Sequence, residues 1–469
     1  MLYFAITVFS SAFLLFVVQP MIAKSLLPSF GGTASVWATC LVVFQTLLLA
    51  GYSYAHLLCT KLQPINQRRV HLVVLAASLL FLPPVPSIHI AVNSTDSPVW
   101  ELIRCLFASV GLPFFALSAT TPLLMEWFRQ SYPDRSPDRL YAFSNTGSLL
   151  ALIGYPLLLE PNFARIILAS SWGWGMGLFA LVCCSLAWKT SLKGTIISTC
   201  HQEKPVTHST PFHTKPNDYS IMGYAMNTQV LLWVTLSACG TALLLALTNQ
   251  ISQDVAPMPL LWIAPMSVYL VTFILSFESQ RFYRRDFFLP VSFFAVMGLA
   301  WLIENGFLQG FWTQIVGYLV VLFCGCIVCH GELYRLRPNA KHLTFFYLSI
   351  SFGGALGGGF VAILAPVMFK TLLEIPIIAI AISSLVTIIL RQDSDDFLLN
   401  CKKNKQQPCA TKFPINLRWK LALFGTVILA ATHSTVYFKS RKDSVICTRN
   451  FYGAYRVTES FLDLKYTVE

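Results

Sequence analysis

The sequence predicts an all-α polytopic membrane protein with two six-helix pseudo-repeats, a thirteenth helix and a short β-like tail. Hydrophobic residues make up 55% of the 469 residues, charged residues make up only 12%, and the mean hydropathy is +0.62. A soluble globular chain carries roughly 25% charged residues, enough to cover its core with a polar shell. Because this chain lacks such a shell, lipid is the expected outer solvent and transmembrane helix the expected structure.

Thirteen apolar stretches come close to the roughly 20 residues that a helix needs to cross the hydrocarbon core. In chain order they cover about 2–19, 36–58, 70–90, 100–125, 139–159, 167–188, 228–250, 258–277, 287–304, 311–330, 343–368, 372–390 and 417–438. Pro83 and Pro84 interrupt the third stretch and leave its end open. The first stretch has no basic leader and no small-residue cleavage site, which indicates a retained helix rather than a signal peptide.

An internal repeat relates the first six stretches to the second six. Glu126, Arg129, Tyr141 and Gly147 recur as Glu332, Arg335, Tyr347 and Gly353, and 332−126, 335−129, 347−141 and 353−147 all equal 206. Each copy lies where one apolar stretch ends, a short basic loop follows and the next apolar stretch begins. Two homologous membrane halves are therefore predicted, as in many carriers.

The distribution of positive charge predicts the orientation in the membrane. The formal net charge of +12 would be compatible with nucleic-acid binding in a soluble protein. Here Lys and Arg cluster in alternate loops, and the stretches 84–99, 251–257 and 305–310 contain neither. This positive-inside pattern places the N-terminus in the cytoplasm of a cell membrane protein and explains the basicity without a nucleic-acid partner.

The same pattern divides the chain into segments. They are a first half at 1–190, a cytoplasmic linker at 191–227, a second half at 228–391, a basic cytoplasmic loop at 392–416, an extra helix at 417–438 and a tail at 439–469. A central cytoplasmic linker between two six-helix halves is the organisation of major-facilitator-like carriers, a likeness of fold alone. The basic loop at 392–416 places the tail outside, although Lys439, Arg441 and Lys442 favour the inside.

The repeated Glu-x-x-Arg pairs allow two interpretations. Glu126 with Arg129, and Glu332 with Arg335, lie at positions i and i+3 of predicted helix ends and can form ion pairs. One interpretation is a salt bridge that fixes each short cytoplasmic turn. The other is a gating latch that breaks and re-forms between two transport states.

Polar residues within or next to the apolar stretches are candidates for a solute cavity. Such residues are costly in lipid and point to function unless they lie at an interface. The set comprises Gln19, Asn145, Asn249, Gln250 and Asp254, with Lys24 as a further polar residue that can snorkel to the interface. A cationic solute would require carboxylates, and Asp254, Glu304 and Glu160 are the candidates.

A glycine-rich motif favours a structural role. Gly353, Gly354, Gly357 and Gly358 form overlapping small-residue patterns that permit close helix packing, with Gly147 as the first-half counterpart.

Cys326, Cys329 and His330 match the haem-attachment pattern, and Cys324 adds a possible zinc ligand, but an apolar helix favours packed small residues over either site. No catalytic, cofactor-binding or metal-binding residue is predicted, and no P-loop, G-x-S-x-G or H-E-x-x-H motif is present.

Several long segments resemble the membrane part of bacterial fused spermidine synthase-like/major-facilitator-like proteins. They include FVVQPMIAKSLLPSFGGTASVWATC, LYAFSNTGSLLALIGYPLLLEP, LTNQISQDVAPMPLLWIAPM and CHGELYRLRPNAKHLTFFYLSISFGGALGGGF, and CTRNFYGAYRVTE resembles the start of the synthase-like domain. The resemblance implies a membrane module followed by an aminopropyltransferase-type domain that binds decarboxylated S-adenosylmethionine. The chain stops where that domain begins, so no cofactor and no aminopropyl transfer are expected of this polypeptide.

The sequence thus predicts the membrane module of a spermidine synthase-like fusion, which carries a small cationic solute such as a polyamine. A carrier unrelated to polyamines is one alternative. A non-transporting anchor or scaffold for a separate synthase-like domain, or a decayed fragment, is another. The expected partners are the lipid bilayer, the solute and that separate domain.

Overall fold

The computed structural model describes residues 2–31, 34–86, 98–132, 138–200, 226–254, 261–278, 282–305, 310–338, 343–404, 415–442, 444–450 and 453–458. Within them, the first half contains α1 (Leu2–Phe30), α2 (Ala34–Lys61), α3 (Pro64–Ser78), α4 (Pro98–Ser131), α5 (Asp138–Gly154) and α6 (Arg165–Cys200). The α3 helix ends in a 3-10 turn over Leu79–Phe81. The α5 helix continues through a π-helical segment, Tyr155–Leu159, and a short helix, Glu160–Asn162.

The second half repeats this order. It contains α7 (Met226–Asp254), α8 (Ile263–Glu278), α9 (Arg285–Asn305), α10 (Phe311–Arg335), α11 (Leu343–Gly359) and α12 (Glu374–Asn404). The α11 helix continues through a π-helical segment, Phe360–Leu364, and a short helix, Ala365–Met368, as its counterpart α5 does. The α13 helix (Ile415–Lys442) and the strands β1 (Ser444–Asn450) and β2 (Gly453–Thr458) follow.

Among the described residues, ten helices are long and apolar enough to cross a membrane. They are α1, α2, α4, α6, α7, α9, α10, α11 with its extension, α12 and α13. The α8 helix is shorter but apolar. The chain is therefore a multi-pass membrane protein, and the predicted all-α fold class is confirmed.

Several predicted boundaries differ from the described helices; α1, for example, continues past the predicted residue 19 to Phe30. The third apolar stretch was predicted over 70–90, whereas α3 starts at Pro64 and its last turn ends at Phe81. Pro83 and Pro84 follow after Leu82 and cannot donate helical hydrogen bonds. The α6 and α12 helices extend to Cys200 and Asn404, into the ranges predicted as linker and basic loop, because no proline precedes Pro205 or Pro408 there. Most of the linker lies outside the described residues.

Helix packing follows a pseudo-twofold relation between the halves. The contact of α1 with α5 has its counterpart in α7 with α11, and that of α2 with α4 in α8 with α10. Between the halves, α2 packs on α11 and α5 packs on α8. These two contacts exchange when the halves are exchanged, so the repeat found in the sequence is also a repeat of structure.

Glycines of the repeat allow two equivalent helix pairs to approach closely. A Cβ atom at Gly147 would lie 2.8 Å from the Phe9 carbonyl oxygen of α1, and one at Gly353 would overlap the Val234 carbonyl oxygen of α7. A Cβ atom at Gly357 would likewise overlap the Ala238 carbonyl oxygen. The predicted packing role of these residues therefore corresponds to close backbone contacts of α5 with α1 and of α11 with α7.

The tail is attached to the bundle through a buried ion pair. β1 and β2 form an antiparallel hairpin. Arg449 of β1 pairs with Glu374, the first residue of α12, at 2.8 Å, and the two side chains are only 5% and 0% exposed. Arg449 also donates to the Thr371 carbonyl oxygen. The hairpin thus lies at the end of the bundle where α12 begins, opposite the basic loops.

We expect the tail to be extracytoplasmic. Lys439, which favours the inside by charge, forms an ion pair with Glu304 at the end of α9, so its charge is compensated. Alkaline phosphatase fused after residue 458 should be active, and green fluorescent protein at the same site should be dark. Fusions after residue 404, at the end of α12, should show the reverse. Active phosphatase at both sites, or at 404 alone, would contradict this topology.

Candidate functional site

A cavity of about 190 Å³ lies between the two halves. Side chains of α1, α2, α4 and α5 line it from the first half, and side chains of α7, α8 and α11 from the second. Its polar lining residues are Gln19, Gln45, Tyr52, Ser118, Thr121, Tyr141, Ser144, Asn145, Ser148, Ser237, Thr241, Tyr269, Tyr347 and Ser351. Gln19 and Asn145 belong to the set predicted from the sequence.

The cavity lining is uncharged throughout the described part of the chain. Hydroxyl and carboxamide groups supply its polarity, and Phe16, Phe44, Phe114 and Phe273 add aromatic surface to that of the tyrosines. A site of this composition can orient a ligand through hydrogen bonds and ring contacts. It offers no carboxylate to a cation and no basic group to an anion.

Three polar lining groups lack a hydrogen-bond partner within the described residues. They are the Gln45 Oε1 acceptor, the Ser351 hydroxyl and the Asn145 Nδ2 donor, which interacts with the neighbouring Tyr141 hydroxyl but does not meet the distance and angle of a hydrogen bond to it. Buried polar atoms are nearly always paired, so unpaired ones in a cavity indicate where a ligand or water would bind. Asn145 and Ser351 are related by the repeat offset of 206, since 351−145=206. Each half therefore contributes the equivalent position of α5 or α11 to the site.

The other predicted polar residues lie outside the cavity. Asn249 and Gln250 are buried near the end of α7 and are not part of the lining. The side chain of Asp254 lies outside the described residues. Glu160 pairs with Lys24, and Glu304 pairs with Lys439. The expectation that Glu160 or Glu304 faces a cationic solute is therefore wrong, because both are neutralised at helix ends.

Aromatic contacts join the halves on the side of the cavity nearer the basic loops. Tyr141 of α5 stacks on Tyr347 of α11 with ring centroids 4.9 Å apart and an interplanar angle of 20°. These are repeat-equivalent residues, so their contact lies close to the pseudo-twofold axis. Tyr141 also contacts Phe273 and Phe277 of α8 at 6.0 and 5.5 Å. Separation of these rings would open the cavity towards that end.

A second aromatic contact between the halves lies at the opposite end. Trp37, in the first turn of α2, packs against Trp262, which precedes α8, with centroids 5.3 Å apart. The two tryptophans occupy corresponding places at the start of the second helix of each half. The cavity is thus flanked at both ends by ring contacts that join one half to the other.

The first of the predicted Glu–Arg pairs forms a local bridge. Arg129 Nε and Nη2 bind the two carboxylate oxygens of Glu126 at 2.9 and 2.6 Å, and Gln130 donates to the same carboxylate. The Arg129 side chain is 44% exposed. Solvent therefore screens this bridge, and exposed pairs of this kind stabilise a protein by about 1 kcal/mol or less.

The second pair belongs to a larger buried network. Glu332 is only 2% exposed, and its closest cation is Arg285 of α9 rather than the predicted Arg335, which lies 3.6 Å away. Arg285 binds both carboxylate oxygens of Glu332 and also Asp393 of α12. The Tyr283 hydroxyl donates to Glu332 at 2.7 Å. Among the described residues, this network therefore joins α9, α10 and α12, whereas the first pair lies within α4 alone.

The cysteine and histidine motif lies in a packed region. Cys326 and Cys329 are buried in α10, and the His330 ring contacts Tyr269 and Phe273 with centroids 4.8 and 4.5 Å away. His330 Nδ1 lies 3.0 Å from the Thr272 hydroxyl. In the described part of the chain, no group of three His, Cys, Asp or Glu side chains is placed to hold a metal ion.

Sequence reasoning missed several functional candidates. Gln45 lies in the middle of an apolar stretch, so the rule that selected Gln19 also applied to it. Tyr52 and Tyr269 gave no such signal, because tyrosine is common near membrane interfaces and in packed cores. Arg285 stood in a basic loop whose charges were attributed to orientation alone.

Neither a protein-family model nor a curated protein matches the chain. Among solved structures, a peptide transporter, POT, in complex with sulfate is 12% identical, with a TM-score of 0.52 over 84% of this chain and 94% of that chain. The xylose transporter XylE from E. coli in an inward-open conformation is 14% identical, with a TM-score of 0.49 over 82% and 95%. The nucleoside transporter NupG is 11% identical, with a TM-score of 0.46 over 83% and 99%. The likeness to the peptide transporter is one of fold alone: the two chains share an overall helical arrangement, in agreement with the predicted fold class.

Proposed function

We propose that the protein is a carrier that moves a small organic solute across the membrane through the cavity between its halves. The observation that carries this proposal is the placement of repeat-equivalent residues, Asn145 and Ser351, on the two sides of one cavity with unpaired polar atoms. A solute bound there would contact both halves. Rocking of one half against the other would then expose the bound solute to each side in turn.

The contacts between the halves support such rocking. The ring contacts of Tyr141 with Tyr347 and of Trp37 with Trp262 join different halves, so separation of either pair opens one end. Arg285, Glu332 and Asp393 instead fasten helices within the second half, near its basic loops. In this proposal the network keeps the second half rigid as it moves against the first half. It would act as the predicted gating latch only if its ion pairs broke between two transport states.

The solute is proposed to be uncharged in its transported form. Burying a charge without a partner costs far more than burying a paired polar group, and the described lining contains no ionised side chain. A molecule with one donor and one acceptor group and some apolar or aromatic surface fits the unpaired Gln45, Asn145 and Ser351 groups. The aromatic rings provide the remaining contact area.

A polyamine is the second candidate. Tyr52, Tyr141, Tyr269 and Tyr347 surround the cavity with ring faces that can attract an alkylammonium group through cation–π contacts. The relation to spermidine synthase-like fusions stays a prediction from sequence resemblance. If the protein is instead a scaffold for a separate synthase-like domain, the hairpin of β1 and β2 is the proposed attachment point and no solute would be carried.

The test is uptake into proteoliposomes of labelled spermidine and of two neutral solutes, xylose and uridine. Asn145→Leu removes the unpaired donor without a change of charge. Asn162→Leu is the matched control, because Asn162 is exposed and, among the described residues, bonds only the Leu158 carbonyl oxygen. Loss of one solute hydrogen bond costs about 1 kcal/mol, so Asn145→Leu should weaken uptake affinity by roughly five- to tenfold. Asn162→Leu should leave it unchanged.

The outcomes separate the candidates. Saturable uptake of xylose or uridine supports an uncharged solute. Saturable uptake of spermidine alone would instead identify a polyamine as the solute bound in this cavity. Uptake that Asn145→Leu leaves unchanged would show that the solute does not pass through this cavity. Absence of uptake or thermal stabilisation by any member of a wider solute panel would favour the scaffold.

A further inference from the structure

A second cavity, of about 670 Å³, lies on the lipid-facing side of the second half. It is lined by α9, α12 and α13 and by Val328 of α10, and it is separate from the cavity between the halves. The α13 helix packs against both α9 and α12. Its walls are almost entirely apolar, with Phe293, Phe294 and Leu421 among them. We call it the α13 groove.

The α13 groove opens towards the hydrocarbon region of the bilayer. α13 is the least buried of the candidate spans, with 11% of its most apolar window inside the bundle. Phe294 and Phe424, on facing sides of the groove, are 70% and 64% exposed. Water is a poor occupant of such walls, whereas a lipid acyl chain matches both their composition and their place in the membrane.

Among the described lining residues, charged groups occur only at the end of the groove near the basic loops, and the hydroxyls of Ser292 and Ser383 are the other polar groups. Arg418 lies there, 3.1 Å from Asp286, and the two side chains are 38% and 77% exposed. Arg285 also reaches the groove, but Glu332 and Asp393 already bind its guanidinium. Within the part of the chain that the structure describes, Asp286 is the one ion-pair partner of Arg418, and because Asp286 is exposed, a headgroup can displace it.

Two further cations lie next to this end, beside the groove lining rather than in it. The Arg391 guanidinium and the Lys420 ammonium lie over the Trp419 ring, 5.6 and 5.8 Å from its centroid. Neither cation forms an ion pair within the described residues. A tryptophan at this depth is typical of the membrane interface, where phosphate groups lie, and basic pockets between helices on this side bind anionic headgroups.

We propose that the α13 groove binds one anionic phospholipid. An acyl chain occupies the apolar walls, and the phosphate group is held by Arg418 and Lys420 beside Trp419. The charges at the entrance favour an anionic lipid over a zwitterionic one with the same chains. This site does not depend on the proposed transport function, because it concerns only the lipid-facing side of the second half.

Native mass spectrometry tests the proposal. The full chain is purified in detergent, mixed with added lipid and released from the detergent micelle in the mass spectrometer. Phosphatidylglycerol and phosphatidylcholine with identical chains are the two probes. We expect one phosphatidylglycerol molecule to be retained preferentially. Arg418→Gln with Lys420→Gln should reduce that retention at least tenfold and leave phosphatidylcholine unchanged, since each basic residue near the surface contributes about a fivefold factor.

Two further variants complete the test. Arg441→Gln, at the other end of α13, should retain phosphatidylglycerol as the unmodified protein does. Ala422→Trp should fill the groove and lower the retention of both lipids, and an unchanged melting temperature shows that it is folded. Equal retention of the two lipids by the unmodified protein, or unchanged retention by the double variant, would overturn the proposal.

Discussion

Arg285→Ala is expected to lower the free energy of unfolding by about 3–5 kcal/mol, because it leaves the Glu332 carboxylate buried without its closest cation. The same substitution removes a partner of Asp393 in α12. Arg335 lies 3.6 Å from Glu332 and can compensate only in part. The loss is measured as a fall in melting temperature of the purified protein in detergent.

The repeat supplies the matched control for this substitution. Arg129→Ala removes the cation of the first-half pair, whose arginine is 44% exposed, so the expected cost is about 1 kcal/mol or less. The double change Arg285→Met with Glu332→Gln removes both charges and should recover most of the stability lost in Arg285→Ala. If Arg285→Ala and Arg129→Ala melt at the same temperature, the network does not stabilise the second half as described.

The comparison of these two pairs shows what a repeat in sequence can predict. The offset of 206 placed Glu126 with Arg129, and Glu332 with Arg335, at equivalent helix ends. It could not predict that α9 and α12 would bring Arg285 and Asp393 to the second copy only. Spacing along one helix predicts contacts at i and i+3, whereas a contact between helices depends on their rotation and depth.

The cavity lining also shows which residues can and cannot be predicted from the sequence. Gln19 and Asn145 were predicted because a carboxamide within an apolar stretch is costly unless it has a function. The tyrosines that make up much of the wall, among them Tyr52 and Tyr269, serve equally well as packed residues, so their sequence positions carried no such signal. The fold class could be predicted from composition, span length and the repeat. These are properties of whole helices, so an error in the role assigned to one residue does not change the predicted fold class.

The closest helix contact in the second half provides the other large expected effect. Gly357→Ala should destabilise the protein by about 2–3 kcal/mol, because the added Cβ atom would overlap the Ala238 carbonyl oxygen and adjacent backbone atoms of α7. Backbone atoms cannot rotate away as a side chain can, so α11 must shift as a whole. Since Ser351 and Gly354 of α11 line the cavity, solute binding should weaken together with the melting temperature.

Gly359, two residues further along the same helix, makes the sign of this effect testable. A Cβ atom there meets no atom within 4 Å, and alanine is favoured over glycine in helices by about 1 kcal/mol. Gly359→Ala should therefore leave the melting temperature unchanged or raise it, while Gly357→Ala lowers it. Opposite signs for the same chemical change would locate the α11–α7 contact at the face predicted by the small-residue pattern. A neutral Gly357→Ala would contradict a close backbone contact between α11 and α7 at this position.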